Sequence, residues 1–125
     1  ANGLLTGKYR KGAEAPEDSR LAADRWSHRL KAARLDTVEA LIGFAEARGR
    51  TILELAFSWL ASRPEVGSVI AGATKPEQIR ANAQAAELVL SDDIVRALTE
   101  ATEPLKARLG PNADMWESEA NSRIR

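Results

Sequence analysis

Apolar residues recur at three- and four-residue steps in two consecutive stretches. Between Leu30 and Arg48 the stripe is Leu35, Val38, Leu41, Ile42 and Ala45, which predicts an amphipathic helix with Gly49 as its stop. Thr51-Ile52-Leu53-Glu54 then has the Thr-x-x-Glu form of a capping box, in which the two side chains each satisfy the other residue's backbone N–H. The helix it opens places Ile52, Leu55, Ala56, Trp59 and Leu60 on one face, and Pro64 ends it. On that stripe Trp59 reads as a core aromatic rather than a ligand contact.

The period then changes. Val69 and Ile70 lie in a short apolar run, which suits a strand buried on both faces. Gly72 lets the backbone turn tightly or approach a ligand, and Pro76 fits the first turn of a following helix. Thr74 or Lys75 is then the cap, with Glu77 as the acidic first-turn residue. The open N–H groups of such a helix start favour an anion, and Thr74 and Lys75 add a hydroxyl and a positive charge. Most joins of this kind bind nothing, so on the residues alone both readings stand. A last helix follows Leu90-Ser91-Asp92-Asp93-Ile94, with Ser91 as cap and Ile94, Val95, Leu98 and Ala101 as its buried side, ending at Pro104. Helix-start chemistry accounts for Asp92 and Asp93, which therefore do not read as a catalytic carboxylate pair.

Charge removes several partners. With 18 basic and 18 acidic residues the formal net charge is zero, so there is no electrostatic case for nucleic acid or an anionic membrane. No apolar run approaches the roughly 20 residues of a membrane span. No cysteine is present, which excludes disulfides and thiolate metal sites, and no metal site is expected. A soluble, cytoplasmic protein is the expectation. Residues 1–12 are turn-forming, punctuated by Gly3, Gly7 and Gly12. The run Gly3-x-x-x-Gly7-Lys8-Tyr9 is one spacer short of a nucleotide phosphate loop and has Tyr9 in place of the magnesium-holding Ser or Thr, so that reading fails. Residues 11–29 are polar and hold Pro16, and they read as a mobile loop with one helical turn near Leu21. Trp26 and His28 fall there, and His28, with no carboxylate neighbour to orient it, reads as a surface residue.

Gly72-Ala73-Thr74-Lys75-Pro76-Glu77-Gln78-Ile79 with Asn82 resembles the last strand–helix unit of the aldo-keto reductases. Ala1-Asn2-Gly3-Leu4-Leu5-Thr6-Gly7-Lys8-Tyr9 resembles that family's loop after the preceding strand, and the tail from Pro111 through Trp116 to Arg125 is also similar. The resemblance implies an α/β chain that forms the C-terminal part of a (β/α)8 TIM barrel, a fold of about 250 residues. This chain would hold about the last two βα units plus a tail at 103–125, as a single partial domain, mostly helical when taken as a fragment. Even the strand of the first unit would be missing.

The resemblance further implies NADP(H) as cofactor and hydride transfer to or from a small carbonyl or alcohol substrate. Ala1, Asn2, Gly3 and Leu4 would lie along the pyrophosphate through their backbone, with Lys8 nearby, though a lone lysine is as often simply solvated. Gly72 would let the backbone approach the nucleotide, and Thr74 and Lys75 would hold the 2′-phosphate. Gln78 and Asn82, one helical turn apart, would reach the adenine or ribose; otherwise they form an ordinary polar face. Relatives often carry Glu just before that Asn, where this chain has Ala81. Trp116 would touch substrate, or else plug the barrel exterior. The family's Asp, Tyr, Lys and His tetrad has no counterpart here, so no catalytic residue is assigned and the chain alone is expected to be inactive. Two alternatives remain: a nucleotide-retaining regulatory subunit of the potassium-channel β type, or a helical fragment that self-associates through exposed barrel faces.

Overall fold

A computed structural model describes residues 3–19, 22 and 32–111, with the side chains of 32 and 33 left aside. The reading of a turn near Leu21 and those of Ala1, Asn2, Trp26, His28 and Trp116 lie at least partly outside the described residues. Among the described residues, four helices follow a short 3₁₀ turn at Leu4–Thr6: α1, Ala32–Glu46; α2, Ile52–Ala61; α3, Pro76–Glu87; and α4, Asp92–Leu109.

The expected stops and starts take concrete form. After α1, Gly49 adopts φ 65°, the left-handed conformation a Cβ resists. Arg50 N–H then reaches the Ala45 carbonyl at 3.0 Å and Gly49 N–H the Glu46 carbonyl at 3.0 Å, which satisfies two carbonyls at the helix end. At α2 the capping box closes in both directions: Glu54 N–H donates to Thr51 Oγ1 at 3.2 Å, and Thr51 N–H donates to Glu54 Oε2 at 2.7 Å. The Thr51 N–H, helped by the Thr51 hydroxyl and Arg50 and opposed by desolvation, holds the Glu54 carboxyl below its ordinary 4.5. This contribution is therefore complete above pH 4.5 and is lost as the pH falls through the lowered value. Thr51→Ala is expected to cost about 1 kcal/mol, read as a lower urea midpoint with an unchanged slope.

The core joins α1, α2 and α4. Val38, Leu41, Ile42 and Ala45 meet Ile52, Leu55 and Leu98, with Leu4, Leu5 and Trp59 packed at the margin. On its other side α2 packs against α3, where Ala85 is fully buried and its carbonyl accepts the buried Ser58 hydroxyl at 2.8 Å. A small residue at this position allows close approach, and the hydroxyl pairs a carbonyl that water does not reach. Trp59 is a core-margin aromatic, as its place on the stripe suggested. Its Nε1–H donates to Thr99 Oγ1 at 3.2 Å, so it also ties α2 to α4.

Three expectations need correction. No strand forms at Val69 and Ile70; the described residues contain none, and Ile70 is 99% exposed. A strand is stable only when neighbours take its backbone groups, and no described segment supplies them. Gly72 does not make a tight glycine turn: it is outside the positive-φ set, and a Cβ there would meet nothing within 4 Å. Finally, Pro104 does not end the last helix. The α4 helix runs through it to Leu109, so the tail expected from 103 starts only after Gly110, at φ 72°. The carbonyl of Glu100, which Pro104 leaves without its helical donor, belongs to an exposed residue where water can serve it. No helix among the described residues is long and apolar enough to cross a membrane.

Candidate functional site

The start of α3 gathers three of the expected residues around one oxygen atom. Lys75 is the N-cap residue, with extended backbone at φ −137° and ψ 147°, and Pro76 is the first helical residue. Lysine has no acceptor, so its side chain cannot cap. Instead Gln78 turns back, and its Oε1 accepts from Thr74 N–H at 2.7 Å, Thr74 Oγ1–H at 3.2 Å and Lys75 N–H at 3.2 Å. Three donors thus converge on a single amide oxygen, which satisfies the open N–H groups at the helix start. Thr74, Lys75 and Gln78 are all exposed, and the Lys75 ammonium makes no ion pair among the described residues.

Gln78 folds back over the start of its own helix, where its amide oxygen takes up the Thr74 and Lys75 donors. Asn82, a turn further along, lies elsewhere. It lines a cleft of about 470 Å³ between α2, the 66–73 segment and α3, along with Phe57, Val69, Ala71, Ala73 and Ile79. Thr74, Lys75 and Gln78 lie outside that lining. Val66 through Val69, Ala71 and Ala73 line this cleft, while Ile70 is fully exposed.

The second segment also packs against α2. Gly3 takes φ 84° and its carbonyl accepts Thr6 Oγ1–H at 2.7 Å and Thr6 N–H at 3.2 Å, closing the 3₁₀ turn. A Cβ on Gly3 would lie 2.8 Å from Lys8 Cε, so the Lys8 stem crosses the space that glycine leaves open. The Lys8 ammonium then lies 5.0 Å from the centre of the Tyr9 ring, which is 2% exposed. Leu4 turns its side chain to the core, which leaves only its backbone for a ligand. Gly7 lies against Ile52, where its Cβ would come within 3.6 Å of Ile52 Cγ2. The two candidate segments thus share α2 as scaffold.

Residues absent from the sequence-based reading also hold this loop. Lys11 N–H and Arg10 Nε–H both donate to Glu39 Oε1, at 2.8 and 3.0 Å, and Lys11 Nζ lies 2.6 Å from Asp36 Oδ1. Periodicity carries no signal for pairs so far apart in the chain. Ser19 is buried with its hydroxyl unpartnered among the described residues, and no motif marks it either.

A family model described as the aldo/keto reductase family matches residues 1–103. A probable voltage-gated potassium channel subunit beta of Arabidopsis thaliana is 41% identical over 71% of this chain and 28% of that protein. An L-glyceraldehyde 3-phosphate reductase of Escherichia coli O157:H7 is 40% identical over 68% of this chain and 26% of that protein. A putative voltage-gated potassium channel subunit beta of Schizosaccharomyces pombe is 36% identical over 79% of this chain and 30% of that protein. The chain thus spans less than a third of the length of these relatives.

Proposed function

The chain belongs to the aldo/keto reductase family, and we propose that it supplies the nucleotide-holding end of an NADP(H)-dependent oxidoreductase. The observation that carries this reading is the convergence of Thr74 N–H, Thr74 O–H and Lys75 N–H on one acceptor atom beside the exposed Lys75 side chain, whose ammonium has no ion pair among the described residues. A ribose 2′-phosphate is a stronger acceptor than the Gln78 amide, and at this helix start it also meets the positive end of the α3 dipole. NADPH, when bound, supplies the hydride. The part of this chain is to bind and orient: Thr74 and Lys75 at the phosphate, Gly72 where backbone and nucleotide approach, and Asn82 with Gln78, once the phosphate has displaced its amide from the Thr74 and Lys75 donors, toward ribose or adenine. Ala1, Asn2, Gly3 and Leu4 offer backbone along the pyrophosphate, with Lys8 as a countercharge. Trp116 is kept as a substrate-side contact. The substrate is a small carbonyl compound, and the residues that reduce it lie on the part of the barrel that this chain does not span.

A second reading follows from the names of the relatives. The potassium channel β subunits among them favour a protein that keeps the nucleotide in order to regulate a partner, with the same residues holding it. Titration of the full-length protein with NADPH, followed by quenching of tryptophan fluorescence, separates the possibilities. Micromolar or tighter NADPH binding with carbonyl-dependent oxidation supports the reductase, and binding without turnover supports the regulatory subunit. A protein that ignores the nucleotide and elutes as a large oligomer overturns both, in favour of association through exposed apolar residues such as Ile70 and Val89.

A further inference from the structure

We propose that Glu39, on α1, is a positioning residue for Lys8, an inference that rests on the nucleotide reading above. Residues 8–11 cross from the Gly3 turn to the side of α1, and each end of this crossing is held. At the near end, Gly3 lets the Lys8 stem fold across its own Cα, and the Tyr9 ring is buried directly behind. At the far end, a single carboxylate oxygen of Glu39 takes both Lys11 N–H and Arg10 Nε–H. Asp36, one turn earlier, takes the Lys11 ammonium, and Glu46, two turns later, lies 3.9 Å from Arg10 Nη1. Asp36, Glu39 and Glu46 therefore form one acidic stripe along α1, and the crossing lies on it.

The character of the Glu39 contact separates it from the others. Pairs between long exposed side chains add little and are screened by salt. A carboxylate that accepts a main-chain N–H instead places the backbone itself, three residues after Lys8, without ordering a second side chain. The Lys11 N–H, helped by the Arg10 guanidinium and opposed by desolvation, holds the Glu39 carboxyl below its ordinary 4.5, so it is charged near neutral pH. Without this anchor, the crossing would be held only by Tyr9 and by the solvent-screened side-chain pairs of Lys11 with Asp36 and Arg10 with Glu46, and the Lys8 ammonium would sample positions too far from a pyrophosphate to count. Displacement of a binding group by about 1 Å is enough to weaken a preorganised contact.

The test is a double-mutant cycle in the full-length protein, with NADPH affinity as readout and thermal melting in parallel. Glu39→Ala is expected to weaken NADPH on the order of fivefold, the equivalent of one hydrogen bond, with little further loss when Lys8 is already alanine. Glu39→Gln keeps an acceptor for Lys11 N–H and is expected to recover part of the affinity; it carries the same cycle if Glu39→Ala does not fold. Losses at Glu39 and Lys8 that simply add, or a Glu39 change that lowers only the melting temperature, overturn the positioning role and leave the nucleotide reading intact. A Lys8→Ala protein that binds NADPH unchanged overturns Lys8 as a cofactor contact, and the positioning role with it.

Discussion

Lys75→Ala in the full-length protein is expected to weaken NADPH by roughly 1–3 kcal/mol while leaving NADH nearly unchanged. The lysine stands at the N-cap of α3, exposed and without a carboxylate partner among the described residues, so removing it strands no buried charge. Its worth should therefore appear almost entirely in the complex with a doubly charged group. A compact ammonium acts here as a point charge, which suits a terminal phosphate better than a planar contact would. Fluorescence titrations with the two nucleotides at one fixed ionic strength measure the difference, because exposed charges are sensitive to screening. Equal weakening of both nucleotides would remove Lys75 from the 2′-phosphate role. The urea midpoint should stay within about 0.5 kcal/mol of the parent protein, as for other exposed sites.

Leu55→Ala should behave in the opposite way, costing about 2–5 kcal/mol of stability. Leu55 is 3% exposed at the middle of α2, in the cluster with Val38, Leu41 and Leu98. It also lines a nearly apolar cavity of about 380 Å³ shared with Leu5, Trp59 and Thr102. Truncation enlarges a space that the surrounding helices have not closed, so relaxation recovers little of the lost contact. Because α2 carries the Gly3 turn at one end and α3 along its side, nucleotide affinity should fall along with the melting temperature. Chemical denaturation with parallel NADPH titration checks both. A loss under about 1 kcal/mol would mean that Leu55 is not central to this core.

The helices of this protein are written into short stretches of its chain. The Thr51/Glu54 box, the Gly49 stop and the Pro76 start each depend on hydrogen bonds that close within a few residues. The stripe from Val38 to Ala45 is buried as its spacing implied, since one helical period needs no knowledge of the partner. Local rules also mislead where they state a preference rather than a necessity. Ser91 is the N-cap of α4, yet its hydroxyl makes no capping bond, and Pro104 is carried inside that helix.

What lay beyond the local pattern depended on distance along the chain. The apolar run at 69–70 has the composition of a strand, but no described segment pairs with it, and without such a partner it stays extended and exposed. The donors at Thr74 and Lys75 were legible as a helix start. That they meet on Gln78 Oε1, with Asn82 turned to a separate cleft, depends on side-chain direction that spacing does not encode. The same holds for the Glu39 anchor and for Thr99 beneath Trp59, which unite residues 28 to 40 positions apart. Periods and caps are set within one turn of backbone, whereas contacts such as these exist only once separate helices have packed.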